Sequence, residues 1–287
     1  MKVIFSRKGF DSGYGRCPSP IFPDGRLVSL PIPSRDNPHK MGDLCFSGMN
    51  LGEVADQLSA GQVDNTTTVH LDPDLEQTTV LRRPGWRPSL GQLSSAQTHL
   101  SNNGVAEGDI FLFFGWFRDV EKIAGRWRYV RTAANKHVIF GWLQIGEILD
   151  IARQRDLALA RYPWLIGHPH LSERSDYLDS RKNNTIYLAN EQCSMTSGLA
   201  GGGTFLHYRE NLCLTWPGHS RTYWRLPLWM QPIGGRSPMT YHPISRWSVN
   251  DDHVLLRSAA KGQEFVFDTE PYAEARAWVK SILQGEA

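Results

Sequence analysis

The sequence predicts an α+β domain with a mainly antiparallel sheet and peripheral helices, and three observations carry that prediction. Strand-like and helix-like segments are interspersed without a regular βαβ beat, which disfavours a doubly wound sheet. An almost continuous apolar run from Asp109 to Trp116 reads as a strand buried on both faces. A second apolar segment, His137 to Ile148, follows across Arg126-Trp127-Arg128-Tyr129-Val130, so that the three predict an antiparallel meander. No composition shift marks a boundary, and residues 1–287 are expected to form one domain.

The elements follow in order. Residues 2–5 (Lys-Val-Ile-Phe) predict a short strand, followed to about residue 48 by a Gly-, Pro-, Ser- and Asp-rich stretch. Proline removes backbone donors and glycine loosens the chain, so this stretch predicts an ordered loop system, and long ordered loops in compact domains are usually functional. Residues 66–71 (Thr-Thr-Thr-Val-His-Leu) are β-branched enough for a strand that Asp72-Pro73 would stop. Ser94 to Leu100 suits a short helix ending at Asn102-Asn103-Gly104, with Gly104 placed as its C′ residue. Residues 151–161 look helical until Pro163, and strands are expected at Thr185–Ala189, Thr204–Tyr208 and Asn211–Thr215. Near the end Thr269 is placed to cap a helix with Pro271 in its first turn and Ala275, Trp278, Val279 and Ile282 along one face.

Composition narrows the function. With 31 Lys+Arg against 29 Asp+Glu the chain is not a polybasic coat for DNA or membrane, and 40% hydrophobic residues with 21% charged place it among ordinary globular proteins. The longest apolar run, Ile110 to Phe117, is far below the ~20 residues of a membrane helix. Four cysteines without a C-x-x-C spacing, and a start without an apolar stretch for a signal peptide, predict a reduced, cytoplasmic protein. The unusual number is 10 Trp, because a buried indole N–H wants a partner.

Phosphate-loop, dinucleotide, zinc-protease and serine-nucleophile patterns are absent. His168-x-His170 could put two imidazoles on one side of an extended segment, but no carboxylate or Cys accompanies them in the pattern; a solvated loop is expected and no metal is assigned. Ser6-Arg7-Lys8-Gly9-Phe10-Asp11-Ser12-Gly13-Tyr14-Gly15 follows a strand and gathers cations, hydroxyls and glycines, as an anion cradle would; a structural turn pairing Arg7 or Lys8 with Asp11 accounts for the same residues. His70-Leu71-Asp72-Pro73-Asp74 lies where the chain leaves a strand, either as a turn or as a reactive group, with Asp72 the stronger candidate because Asp74 falls further into the turn. On a helix, Gln92, Ser95 and His99 would share a face, with Gln97 to the side; Gln offers a donor and an acceptor to a base edge and His99 titrates near neutrality. Ser94 capping the helix beside a surface His is the plainer alternative. Aromatics alternate with arginine at Trp116-Phe117-Arg118, Arg126-Trp127-Arg128-Tyr129 and Arg221-Thr222-Tyr223-Trp224-Arg225, which suits base stacking or a Trp core rimmed by arginine stems.

Across nearly the whole chain the sequence resembles the bacterial and phage family called nucleotide modification associated domain 3. The matching stretches are Ser6–Asp11, Ser19-Pro20-Ile21, His70–Asp74, Gly91-Gln92, Ala96-Gln97 with His99-Leu100, Gly108–Gly115, His137–Trp142 and Gly262-Gln263-Glu264-Phe265-Val266. The resemblance implies a setting in the making or handling of modified DNA bases rather than a particular reaction. At the level of fold, Gly108-Asp109 entering a strong strand, with Gly141–Glu147 later, is similar to PUA-like barrels, which implies a barrel-like sheet that binds modified bases or RNA.

Two functions are therefore expected side by side. In an enzyme acting on a nucleobase or nucleotide, Asp11 and Asp72 would be acid/base or positioning groups and His99 a proton shuttle. Gln92 and Gln97 would read base edges, Arg7 and Lys8 would anchor phosphate, and His70 and Trp116 would complete the binding surface. In a non-catalytic reader the same residues would hold a modified base or DNA end in an aromatic pocket. Nucleic acid or nucleotide is the expected partner, no membrane is, and the sequence specifies no cofactor.

Overall fold

The apolar run at Ile110 becomes the spine of a nine-stranded mixed sheet. In the computed structural model, residues 1–35, 37–171 and 182–285 are described. The strands are β1 (Lys2–Arg7), β2 (Ser19–Ile21), β3 (His39–Lys40), β4 (Cys45–Phe46), β5 (Met49–Asn50), β6 (Thr68–Val69), β7 (Ser89–Gln92) and β8 (Ile110–Ile123). They continue as β9 (Arg126–Tyr129), β10 (Lys136–Asp150), β11 (Thr185–Ala189), β12 (Gly202–Thr204), β13 (Tyr223–Pro227), β14 (Trp247–Val249), β15 (His253–Arg257) and β16 (Glu264–Asp268). Four α-helices lie among the described residues: α1 (Leu51–Leu58), α2 (Ser94–Asn102), α3 (Ile151–Arg161) and α4 (Ala275–Gln284).

The main sheet runs β16-β1-β8-β10-β11-β7, with β2 and β9 also pairing β8 and β12 pairing β10. β1 and β2 lie parallel to β8, and the other pairs are antiparallel. β8 is apolar without interruption because both its faces are covered. Phe111 and Phe113 meet Tyr187 and Phe140 on one side, while Phe114 meets Trp224 and Phe265 on the other. That opposite face is closed by the β13-β15-β14 sheet and by α4, whose Val279 and Ile282 are fully buried. The long segment after β1, described except at residue 36, forms with α1 a second core around Phe10, Leu30, Met41, Leu44 and Val54. α1 carried a legible signal that the sequence reading passed over: Leu51, Val54, Ala55 and Leu58 fall on one face, and the Asn50 side chain accepts the Glu53 amide at the N-terminus.

Several expectations are corrected. No barrel forms among the described residues: β16 and β7 are the two edges of an open path, so the barrel-like closure expected of the sheet is not found. β9 and β10 do not pair with each other but with different halves of β8. Thr204–Tyr208 contributes only its first residue to β12, and Asn211–Thr215 is a 3-10 turn and two isolated bridges. α4 starts at Ala275, six positions after Thr269, whose hydroxyl instead donates to the Met1 carbonyl. Ser94 does not cap α2; its backbone sits at positive φ and its amide donates to Asn183. The four cysteines form no disulfide, and no described helix is long and apolar enough to cross a membrane.

Tryptophan goes into packing. Trp224 is wholly buried and donates to His137 Nδ1 at 3.0 Å, Trp247 to the His242 carbonyl at 3.0 Å and Trp142 to the Ala200 carbonyl at 3.2 Å. These three indole N–H groups thus have the partner that burial demands, whereas Trp164 Nε1 is buried without one.

Candidate functional site

At one end of the sheet, β1 and β7 finish where β16 begins. The two edge strands do not pair, and the space between them is a cavity of about 750 Å³. Into it the chain brings Arg7 and Lys8 from the end of β1, Asp11 from the following turn, His70 and Asp72 from the exit of β6, Gln92 from β7 and His99 from α2. Seven of the nine sequence-expected residues therefore share one concavity. The other two do not line it. Gln97 is turned into the core, accepting from the Tyr187 hydroxyl at 2.9 Å and donating to Ser101, because it sits on the inner face of α2. Trp116 donates to Asn135 at 2.8 Å and lies under the Arg221 guanidinium, 4.2 Å from its ring centre. No Trp lines the cavity among the described residues; its aromatic walls are Tyr14, Tyr241 and histidine rings.

The floor is built around Asp72, whose side chain is only 3% exposed. Its Oδ1 accepts the Gly91 amide at 2.7 Å and faces His168 Nε2 at 3.7 Å. Its Oδ2 faces His70 Nε2 at 3.7 Å and His170 Nε2 at 3.9 Å. Burial alone would raise this carboxyl, but the adjacent His70, with His170 and Lys8, outweighs it and holds the group well below the ordinary carboxylate range. Burial pushes the His170 ring down to about 4 and the His168 ring down to about 3, so both are neutral near pH 7. The solvated loop expected for His168 and His170 is thus overturned: a 3-10 turn at Pro169–Leu171 packs both rings under the cavity. Gly91 makes room for this, since a Cβ there would collide with the His170 ring.

Beside this floor Lys8 reaches Glu264 Oε1 at 3.2 Å, and the Gln92 amide donates to the same oxygen. Glu264 Oε2 is buried without a hydrogen-bond partner. Asp74, by contrast, is taken up by Arg82 and by the Trp86 indole at 3.1 Å, and burial raises its pKa despite Arg82.

Other expected groups are partly committed to structure. Arg7 donates to the carbonyls of Ala260 at 2.8 Å and Ala259 at 2.5 Å and lies against the Phe114 and Phe265 rings. Burial lowers its pKa. Asp11 Oδ1 accepts the amides of Gly13 and Tyr14 at 2.7 Å each, which is the structural turn the sequence allowed, although Arg7 and Lys8 bond elsewhere. His99 Nε2 meets the Thr240 hydroxyl at 3.0 Å, its ring 4.5 Å from that of Tyr241, and burial lowers its pKa.

Sequence reasoning missed Glu264, Tyr241 and Asn37 as cavity residues and set His170 aside. Only Glu264 carried a usable signal, within the stretch Gly262–Val266. Chemically the cavity offers a carboxylate among imidazoles at its floor, a buried amide–carboxylate pair at its side, and an aromatic wall.

Residues 2–268 match the family described as Nucleotide modification associated domain 3, which covers all of these cavity residues. No curated protein and no solved structure matches the chain.

Proposed function

We propose that this chain, which belongs to the nucleotide modification associated domain 3 family, holds a nucleotide or an extruded nucleobase of DNA in the cavity between β7 and β16 and acts on it or recognises its modification. The observation that carries the reading is the buried pair of Gln92 and Glu264. Glu264 is among the residues lining a cavity of nucleotide size, and its Oε2 is buried beneath that lining without a hydrogen-bond partner, a condition that costs free energy unless a donor is brought to it. A nucleobase edge supplies such N–H donors, and the ring of Tyr241 offers a flat surface on which a base can stack. The Asp72 group at the floor is the acid/base candidate, with His70 at the rim. Arg7 and Asp11 act by shaping the wall.

The second reading, a reader without turnover, is favoured by one observation: Asp11 and His99, two of the three expected acid/base groups, already hold protein partners. The test is calorimetric titration of the full chain with deoxynucleoside monophosphates and short single-stranded DNA. Binding that Gln92→Ala and Glu264→Gln weaken by at least about tenfold supports the cavity, since losing a buried charged hydrogen bond is worth ~1.5–3 kcal/mol. No binding, or binding that both substitutions leave unchanged, overturns it. Asp72→Asn then separates the two readings, because an enzyme loses conversion of the bound probe while keeping its affinity and a reader converts nothing in either form.

A further inference from the structure

We propose that His70, Asp72 and His170 form a site for one divalent first-row transition-metal ion at the floor of the cavity. The one ligand atom from each residue lies within 4.8 Å of the others. The stronger observation is the direction of the protons, which the surrounding hydrogen bonds fix.

Asn184 donates its amide to the His170 carbonyl at 2.9 Å, which leaves its Oδ1 facing His170 Nδ1 at 2.7 Å. Nδ1 must then carry the proton, and Nε2 presents a lone pair to Asp72. The same device recurs at His70. Asn37 donates its amide to the Arg35 carbonyl at 3.0 Å, so its Oδ1 faces His70 Nδ1 at 3.3 Å and the His70 lone pair is again on Nε2. Asp72 is oriented from behind. Its Oδ1 is held by the Gly91 amide and faces His168 Nε2, and the His170 amide donates to His168 Nδ1 at 3.1 Å, which places the His168 proton on Nε2.

In the tautomers these contacts select, two imidazole lone pairs and the carboxylate Oδ2 converge with no hydrogen between them. Their separations, 3.7 and 3.9 Å, are too long for hydrogen bonds. Three acceptors so arranged repel one another unless a cation lies among them. A metal bound at ~2.0–2.1 Å to each would hold neighbouring ligand atoms roughly 3–3.5 Å apart, so the two His–Asp pairs close by roughly half an ångström and the two imidazole nitrogens, which lie within 4.8 Å of each other, by up to ~1.5 Å. Each ligating histidine then has the outer oxygen acceptor that metal-bound imidazoles characteristically have. Two His and one carboxylate leave further positions open, and all three ligands line the cavity, whereas His168 does not. Lys8 does not satisfy Asp72 by contact, since its ammonium is paired with Glu264. Where the sequence alone pointed to no metal, this geometry assigns one beside the pocket proposed for the base, and the assignment does not depend on that pocket's ligand.

The test uses metal alone. The intact chain of residues 1–287 is stripped with chelator, dialysed and titrated anaerobically with Co²⁺, followed by its visible absorption, and with Zn²⁺ and Mn²⁺ by calorimetry. The expected result is one equivalent bound, with affinity lowered at least about tenfold in His70→Ala and in Asp72→Asn. His219→Ala, on the exposed surface, should bind like the parent. His70 lies at the rim, so His70→Ala decides the matter if Asp72→Asn fails to fold, as judged by circular dichroism. Absence of stoichiometric binding of all three ions, or equal binding by the parent and His70→Ala, overturns the site. Because no nucleotide is present, that failure leaves the base pocket standing; nucleotide titrations in chelator test the pocket separately.

Discussion

Gln92 and Glu264, 172 positions apart in the chain, are joined by a buried hydrogen bond from the amide of the first to the carboxylate of the second. This contact bridges the two edge strands, β7 and β16, which no backbone ladder connects. With Lys8 on the same carboxylate oxygen, it ties the two edges together beside the cavity.

The first prediction concerns that charge pair. Lys8 and Glu264 are 10% and 1% exposed, so removing one partner strands the other in a poor dielectric. Lys8→Met should lower stability by about 3–5 kcal/mol in urea unfolding. Combining it with Glu264→Gln should restore part of that loss. Strictly additive losses would show that the two groups are not coupled.

Binding of DNA should depend weakly on salt. Arg7 and Lys8 already hold protein partners, which leaves few cations for phosphates. Fluorescence anisotropy with a short single strand between about 50 and 200 mM salt should give a shallow slope, one or two phosphates at ~0.7 each. A slope of about −4 or steeper would mean that the strand tracks a basic surface elsewhere.

Gly91→Ala is expected to injure the floor while sparing the fold. The new methyl collides with the His170 ring, so His170 must swing away from Asp72. Overpacking of this kind costs about 1–3 kcal/mol. Co²⁺ affinity should fall at least about tenfold while far-UV circular dichroism is unchanged. Unchanged metal affinity would show that His170 tolerates displacement.

Stability should fall on mild acidification, with His242 a main contributor. Its Nδ1 donates to the Thr240 carbonyl at 2.7 Å and its Nε2 accepts the Ala259 amide at 3.0 Å, so the folded ring is neutral. Burial, aided by the charges of Arg246 and Arg7 and opposed by the Thr240 carbonyl, lowers it from 6.5 to about 4. The unfolded chain therefore binds the extra proton between those values. The stabilisation is complete above about pH 6.5 and is lost as pH falls toward 4, roughly 2 kcal/mol of it between pH 7 and pH 5. Urea midpoints at the two pH values should differ less in His242→Gln than in the parent. An equal difference would assign the acid sensitivity to other groups.

The sequence by itself determined the elements whose physics is local. The both-sided apolar run of β8, the strand β11, the helix α2 and the buried face of α4 follow from side-chain spacing along a single segment, since neighbours at i+2 or at i+3 and i+4 share a face. Polar residues concentrated at Arg7-Lys8, Asp11, His70 and Asp72, Gln92 and His99 were legible for the same reason, as dense local patterns at element ends. Only the tertiary structure decided which of them meet. Gln97, two residues from His99, turned inward because α2 packs that face on Tyr187, while His170, read as a loop residue, became a wall of the Asp72 cluster because the chain returns under Gly91. Tryptophan could have lined a pocket or filled a core on composition alone; long-range packing of Trp224 against Phe5 and Phe114 chose the core. Such contacts depend on loop closure between distant segments and on burial of whole faces, neither of which leaves a period in the sequence.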